Sequence, residues 1–122
     1  MLEYDHQKLL VKWLHSKKIL FTSVPNENLM SATNRKMAMI TASKLKATGK
    51  SKGCPDLFIF LDNKVIAVEL KREIVKGKSK PKPSLEQIEW IEKLNKLGHE
   101  SKVCYGWIEA KDFIESQIEK VA

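Results

Sequence analysis

The chain has 122 residues, 43% of them apolar and 30% charged, with 22 Lys+Arg against 15 Asp+Glu. That balance suits one compact domain over residues 1–122 and excludes a disordered chain. No apolar run is long enough to span a bilayer, so no membrane association is expected.

The opening MLEYDHQKLL carries acids and no apolar signal core, so secretion is not expected. Residues 3–16 read as a helix. Leu10 and Leu14 form a stripe with Leu9 and Trp13 beside it, and Glu3 and Gln7 fall on the same stripe by helical spacing. A carboxylate on an apolar face needs a partner. The alternative is a wet first turn, where the helix dipole favours an acid. Lys18–Val24 reads as a strand, broken at Pro25-Asn26-Glu27-Asn28. Residues 33–47 read as a weak helix, with Met37, Ile40 and Leu45 among lysines, and Gly49 to Gly53 as a loop. Leu57–Leu61 and Val65–Leu70 are strands of nearly continuous apolar character, the pattern of central strands covered on both faces. Lys76–Pro83, KGKSKPKP, reads as a mobile loop. Ser84 caps a helix that runs to about Leu97 and stops at Gly98. Ser101–Ile108 is the last strand. Lys111–Val121 closes the chain as a helix with Phe113, Ile114 and Ile118 inward. The order α-β-α-β-β-α-β-α predicts an α/β fold, a mixed central sheet flanked by helices.

Several residues have plain expectations. Cys54 and Cys104 lack a CxxC spacing and read as free thiols in a reducing cytoplasm. His6, His15 and His99 lack metal-ligand spacing and are expected at the surface. Trp90, on one helical face with Ile91 and Leu94, is expected in the core with Trp107 rather than as a base-stacking platform. Met30, Met37 and Met39 are expected to fill the core, with packing of a mobile arm or a subunit contact as the alternative.

The charge is unevenly placed. No acid lies between Glu27 and Asp56, where Arg35, Lys36, Lys44, Lys46, Lys50 and Lys52 fall. A second block holds Lys71, Arg72, Lys76, Lys78, Lys80 and Lys82. The two blocks flank GCPDLFIFLDNKVIAVELKRE. Such a field attracts a polyanion through counterion release; a solvated surface that aids solubility is the alternative.

That segment holds the chemistry. A two-residue turn at Asp62-Asn63 pairs Leu61 with Lys64 and sets Asp56 opposite Glu69, on one face and about 5 Å apart at Cβ. A three-residue turn would send Asp56 to the wrong face. Lys71 shares the face with Glu69, about 7 Å along the strand. Opposed carboxylates destabilise a sheet unless a cation joins them. Lys71 offers one charge; a divalent metal offers two, polarises a phosphate oxygen and acidifies its bound water. The set suits phosphodiester hydrolysis, with a structural salt-bridge cluster as the alternative.

Pro55-Asp56 followed by Glu69-Leu70-Lys71 resembles the signature of PD-(D/E)XK nucleases. With Glu3-x-x-x-Gln7, Asn26, Gly53-Cys54-Pro55-Asp56-Leu57, Ser84-x-x-Gln87 and Gly98, the ordered set resembles the stand-alone VRR-NUC (virus-type replication-repair nuclease) branch over nearly the whole chain. The resemblance implies a restriction-endonuclease-like core and a metal-dependent DNA endonuclease using magnesium or manganese. It implies metal ligation by Asp56, Glu69 and the Leu70 backbone carbonyl, with Glu3 near the metal, through water or directly. Lys71 would be the catalytic lysine, and Gln87 would support the site or the DNA. Ser84-x-x-Gln87 also reads as a capping box. Gly53 reads as backbone that approaches a neighbour or a phosphate closely, or as a simple turn. On this reading Arg35, Lys46, Lys50, Lys52, Lys76, Lys78, Lys80 and Lys82 would grip DNA phosphates. The family link suggests a homodimer acting on branched DNA, including four-way junctions. The alternative function is a non-catalytic nucleic-acid binder on the same fold. A sequence-specific restriction enzyme would need recognition loops for which the chain has little length.

Overall fold

Leu, Ile, Val and Phe dominate residues 57–70, and this stretch forms the hairpin around which the rest is built. The computed structural model describes residues 1–24 and 35–121. Its elements are α1 (Glu3–Ser16), β1 (Leu20–Ser23), α2 (Arg35–Ala47), β2 (Leu57–Leu61), β3 (Lys64–Lys71), α3 (Leu85–Lys96), β4 (Ser101–Tyr105) and α4 (Trp107–Val121). The α-β-α-β-β-α-β-α order is as expected. Asn26, Met30 and the break at Pro25–Asn28 lie outside the described residues.

The four strands form one mixed sheet in the order β1-β2-β3-β4. β1 and β3 each run antiparallel to β2, and β4 runs parallel to β3. The hairpin closes in two residues: Leu61 pairs with Lys64, and Leu57 pairs with Val68. Asn63 takes the left-handed conformation at φ 60, which asparagine tolerates. Alternation then places Leu57, Ile59, Ile66, Val68 and Leu70 on one face, and all five are fully buried. Leu10 and Leu14 of α1, Cys104 of β4, and Ala110 and Ile114 of α4 complete this core. α1 and α4 pack on each other and on β3, while α3 packs on β3 and β4.

Some expectations shift. Only β3 is covered on both faces, with Ile66–Leu70 buried without a gap. On β2 the second face stays open, and Phe60 is 39% exposed. The last strand ends at Tyr105 because Gly106, at φ 89, turns the chain, so Trp107 and Ile108 open α4 instead. Trp107 and Phe113 are half-buried against the core, Ile114 is buried, and Ile118 is exposed. β1 starts late because Lys18, at φ 56, ends the turn after α1. Met37 and Met39 do not fill the core. α2 buries none of its side chains, and both methionines are exposed. Trp90 is half-buried, with its indole N–H donating to the Lys52 carbonyl at 3.1 Å.

The loop before β2 presses on α3. A Cβ on Gly53 would stand 2.6 Å from the Glu86 carbonyl carbon and 2.8 Å from the Gln87 nitrogen, and the residue sits at φ 89. Gly53→Ala is therefore expected to destabilise the fold by about 2–4 kcal/mol, from overpacking and left-handed strain together. Gly49→Ala, where a Cβ meets nothing within 4 Å, is expected to cost about 1–2 kcal/mol. Urea denaturation of the two variants checks this, and equal losses would contradict the close approach.

Candidate functional site

The hairpin register carries through one more residue. Leu61 and Lys64 close the turn as a hydrogen-bonded pair, and such pairs alternate along an antiparallel ladder. Leu57 with Val68 is then hydrogen-bonded, Asp56 with Glu69 is the closer, non-bonded kind, and Pro55 falls opposite Leu70. Proline has no N–H to give to the Leu70 carbonyl. The Leu70 N–H turns instead to the Asp56 side chain, donating to Oδ2 at 2.8 Å. On the other side, Val24 N–H donates to the Asp56 carbonyl at 2.8 Å. Asp56 is thus gripped by its backbone from the β1 side and by its carboxylate from β3.

Glu69 is 1% exposed, and its Oε1 is buried with no hydrogen-bond partner. Glu3 approaches from the first turn of α1. One oxygen from each of Glu3, Asp56 and Glu69 lies within 4.8 Å of the others. Glu3 is half-buried and faces these acids rather than a wet, frayed end. Burial, followed by the neighbouring Asp56, pushes the Glu69 carboxyl up to about 10; Glu3 adds to the rise and Lys71 opposes it. Glu3 is also raised, by burial and then by Asp56, against the same lysine. Lys71 ends β3, two residues from Glu69 and so on the same face of the sheet. The Cys54 thiol, half-buried, is raised by burial and by Glu69 and Asp56.

Three carboxylates around a buried, unpartnered oxygen fit a hard divalent cation, which prefers oxygen ligands. Burying such a group unpaired costs free energy that a cation would offset. The donor set is all oxygen, so it favours magnesium or manganese over soft metals.

The remaining predicted residues divide. Gln87 forms the capping box: its N–H donates to Ser84 Oγ at 3.2 Å, and its Oε1 accepts from Ser84 N–H at 2.8 Å. Arg35 and Lys46 lie exposed on α2. Lys50 is half-buried, and Lys52 pairs with Glu86 at 3.6 Å. Lys76, Lys78, Lys80 and Lys82 are exposed in the loop after β3. That loop is tied down at two points: Arg72 Nη2 donates to the Ser79 carbonyl at 2.8 Å, and Lys80 Nζ lies 5.0 Å from the centre of the Tyr105 ring. Arg72 was expected only as part of a charge block. His6 is the larger departure. It is 2% exposed rather than at the surface, because α4 packs over it, whereas His15 and His99 are exposed as expected. One signal for it was available: His6 lies one turn before Leu10 on the buried side of α1.

The family model described as the VRR-NUC domain matches residues 1–107. Among solved structures, one described as a VRR_NUC domain protein is similar to this chain at 22% identity, with a TM-score of 0.72, over 98% of this chain and 89% of that one. No curated protein matches. No helix among the described residues is long and apolar enough to cross a membrane.

A metal entering this site must displace the Glu69 proton. Magnesium or manganese binding is expected to release about one proton per site near neutral pH and to tighten as pH rises. The sign for stability follows from the raised carboxyl. A metal-free fold favours the proton, so the stability this group contributes is fully present below the unfolded value near 4.5 and is lost as pH climbs towards about 10. Calorimetry in buffers of different ionisation enthalpy, with and without chelator, measures both. Metal affinity independent of pH between 6 and 9 would contradict the assignment.

Proposed function

The chain belongs to the VRR-NUC family, a nuclease family of the PD-(D/E)XK type, and from that premise we propose that it is a metal-dependent DNA endonuclease acting on branched DNA. The observation that carries this reading is the convergence of Glu3, Asp56 and Glu69 on a buried, unpartnered oxygen beside Lys71.

Asp56 and Glu69 would hold magnesium or manganese, with the Leu70 carbonyl as a further ligand and Glu3 reaching it directly or through water. Once bound, the ion would polarise the scissile phosphate and acidify a water. The chain's own residues do the rest. The Leu70 N–H holds the Asp56 carboxylate in one orientation. Pro55 leaves the Leu70 carbonyl without a ladder donor, so it can turn to a ligand. Lys71 orients the attacking water and neutralises charge developing on the phosphate oxygens. Gln87 spends its oxygen on the α3 cap and keeps its amide NH2 for the site or the DNA.

Binding would come from the basic flanks. Lys76, Lys78, Lys80 and Lys82 project from a loop anchored beside the site, and Arg35, Lys46, Lys50 and Lys52 supply the other side. Preference for junctions and a homodimer follow the family resemblance and one geometric point: a chain with one site needs a second copy for paired cuts.

Incubating the protein with single-stranded, duplex, flap and four-way DNA, with magnesium, manganese or chelator, tests this directly. Metal-dependent cleavage greatest on branched substrates is expected. Asp56→Ala and Glu69→Ala are expected to reduce cleavage to background while binding DNA in chelator as the parent does; normal cutting by either would refute the ligand assignment. Lys71→Ala is expected to slow the chemical step about a hundredfold with little change in binding. Replacing Lys76, Lys78, Lys80 and Lys82 together by alanine is expected to lower the slope of log affinity against log salt by about 3. An unchanged slope would remove that loop from the DNA surface.

A further inference from the structure

We propose that His6 is a positioning residue for this nuclease: its imidazole locks the helix that carries Glu3 to the turn that hydrogen-bonds Lys71. The inference rests on the nuclease reading above and deepens it.

His6 and Glu3 lie three residues apart on α1, one turn along the same side. The Nδ1 of His6 accepts from Trp107 N–H at 3.1 Å, joining segments 101 residues apart. Trp107 is the first residue of α4, whose opening N–H groups have no acceptor within the helix. The residue before it, Gly106, has no side chain with which to cap. A histidine from another helix fills that role. The preceding amide completes the link: Gly106 N–H donates to the Lys71 carbonyl at 2.8 Å. Two successive amides on one turn therefore hold β3 at Lys71 and α1 at His6. The packing there is close. A Cβ on Gly106 would stand 3.3 Å from Glu73 Cβ and 3.5 Å from His6 Cε1.

The tautomer follows. A ring that accepts at Nδ1 carries its proton on Nε2. That Nε2 is buried without a hydrogen-bond partner, and Glu73 Oε1, at 4.0 Å, stands beyond hydrogen-bonding range. Simple core filling would favour an apolar residue, which leaves no buried donor unmade. The retained imidazole is accounted for by its other nitrogen. Glu3 and Lys71 sit on different elements, and this link sets their spacing about Asp56 and Glu69. Catalytic groups misplaced by about 1 Å lose on the order of a hundredfold in rate.

The test is a graded series at His6. Asparagine can set its amide oxygen near the place of Nδ1, glutamine near that of Nε2, and leucine offers no acceptor. His6→Gln and His6→Leu are expected to lower kcat on branched DNA with magnesium by roughly ten- to a hundredfold, with KM for DNA unchanged. His6→Asn is expected to restore most of the rate. Nitrogen NMR of the wild-type ring is expected to show a bare Nδ1 and a protonated Nε2. A His6→Leu protein that cuts at the parental rate, a His6→Asn protein no better than His6→Gln, or a ring protonated at Nδ1 would each overturn the proposal. Asp56→Ala sets the baseline: cleavage surviving there counts against the nuclease reading, whereas the His6 series and the ring spectrum count against the positioning role alone.

Discussion

Two carboxylates face each other across a β-hairpin, one of them wholly buried, and the rest of the fold accommodates that conflict. Asp56 and Glu69 are adjacent because a two-residue turn fixes the register, and one residue more in that turn would separate them onto opposite faces. The Leu70 N–H steadies Asp56 but leaves Glu69 Oε1 alone. Burial resolves the repulsion by keeping a proton on Glu69. The site gains a further negative charge once that proton leaves.

Around this pair, the surface charge is organised rather than diffuse. Lys52 is engaged with Glu86, Arg72 with the backbone at Ser79, and Lys80 with the face of Tyr105. These contacts are individually weak at an exposed surface. Their effect is geometric. The contacts of Arg72 and Lys80 hold the lysine-rich loop against the ends of β3 and β4, where Lys71 and Tyr105 pair. The lysine-rich loop and the acid cluster therefore meet at one end of the sheet.

The hairpin was legible because its determinants are local. Asp62-Asn63 marks a turn, the flanking runs are nearly continuously apolar, and counting from the turn places Asp56 against Glu69. Glu3 was half-legible: helical spacing showed an acid on an apolar stripe, and the family resemblance supplied its neighbour. The strand end at Gly106 was missed because Trp107 and Ile108 extend an apolar run, and only the left-handed glycine separates strand from helix. His6 was missed for a deeper reason. Its place one turn before Leu10 hinted at burial, but its partner comes from α4, a hundred residues away, and no local pattern encodes that contact. The methionines of α2 failed in the opposite sense. Their composition suggests a core, but α2 buries no side chain.

Pro55 gives the architecture a property beyond its role in the register. A ladder that ends on a residue with no donor leaves its last rung open on the β3 side. On the proposed reading, an ion could take the Leu70 carbonyl there without breaking a bond of the sheet, and its departure would leave no strand to re-pair. Loading and unloading would then cost the sheet none of its hydrogen bonds.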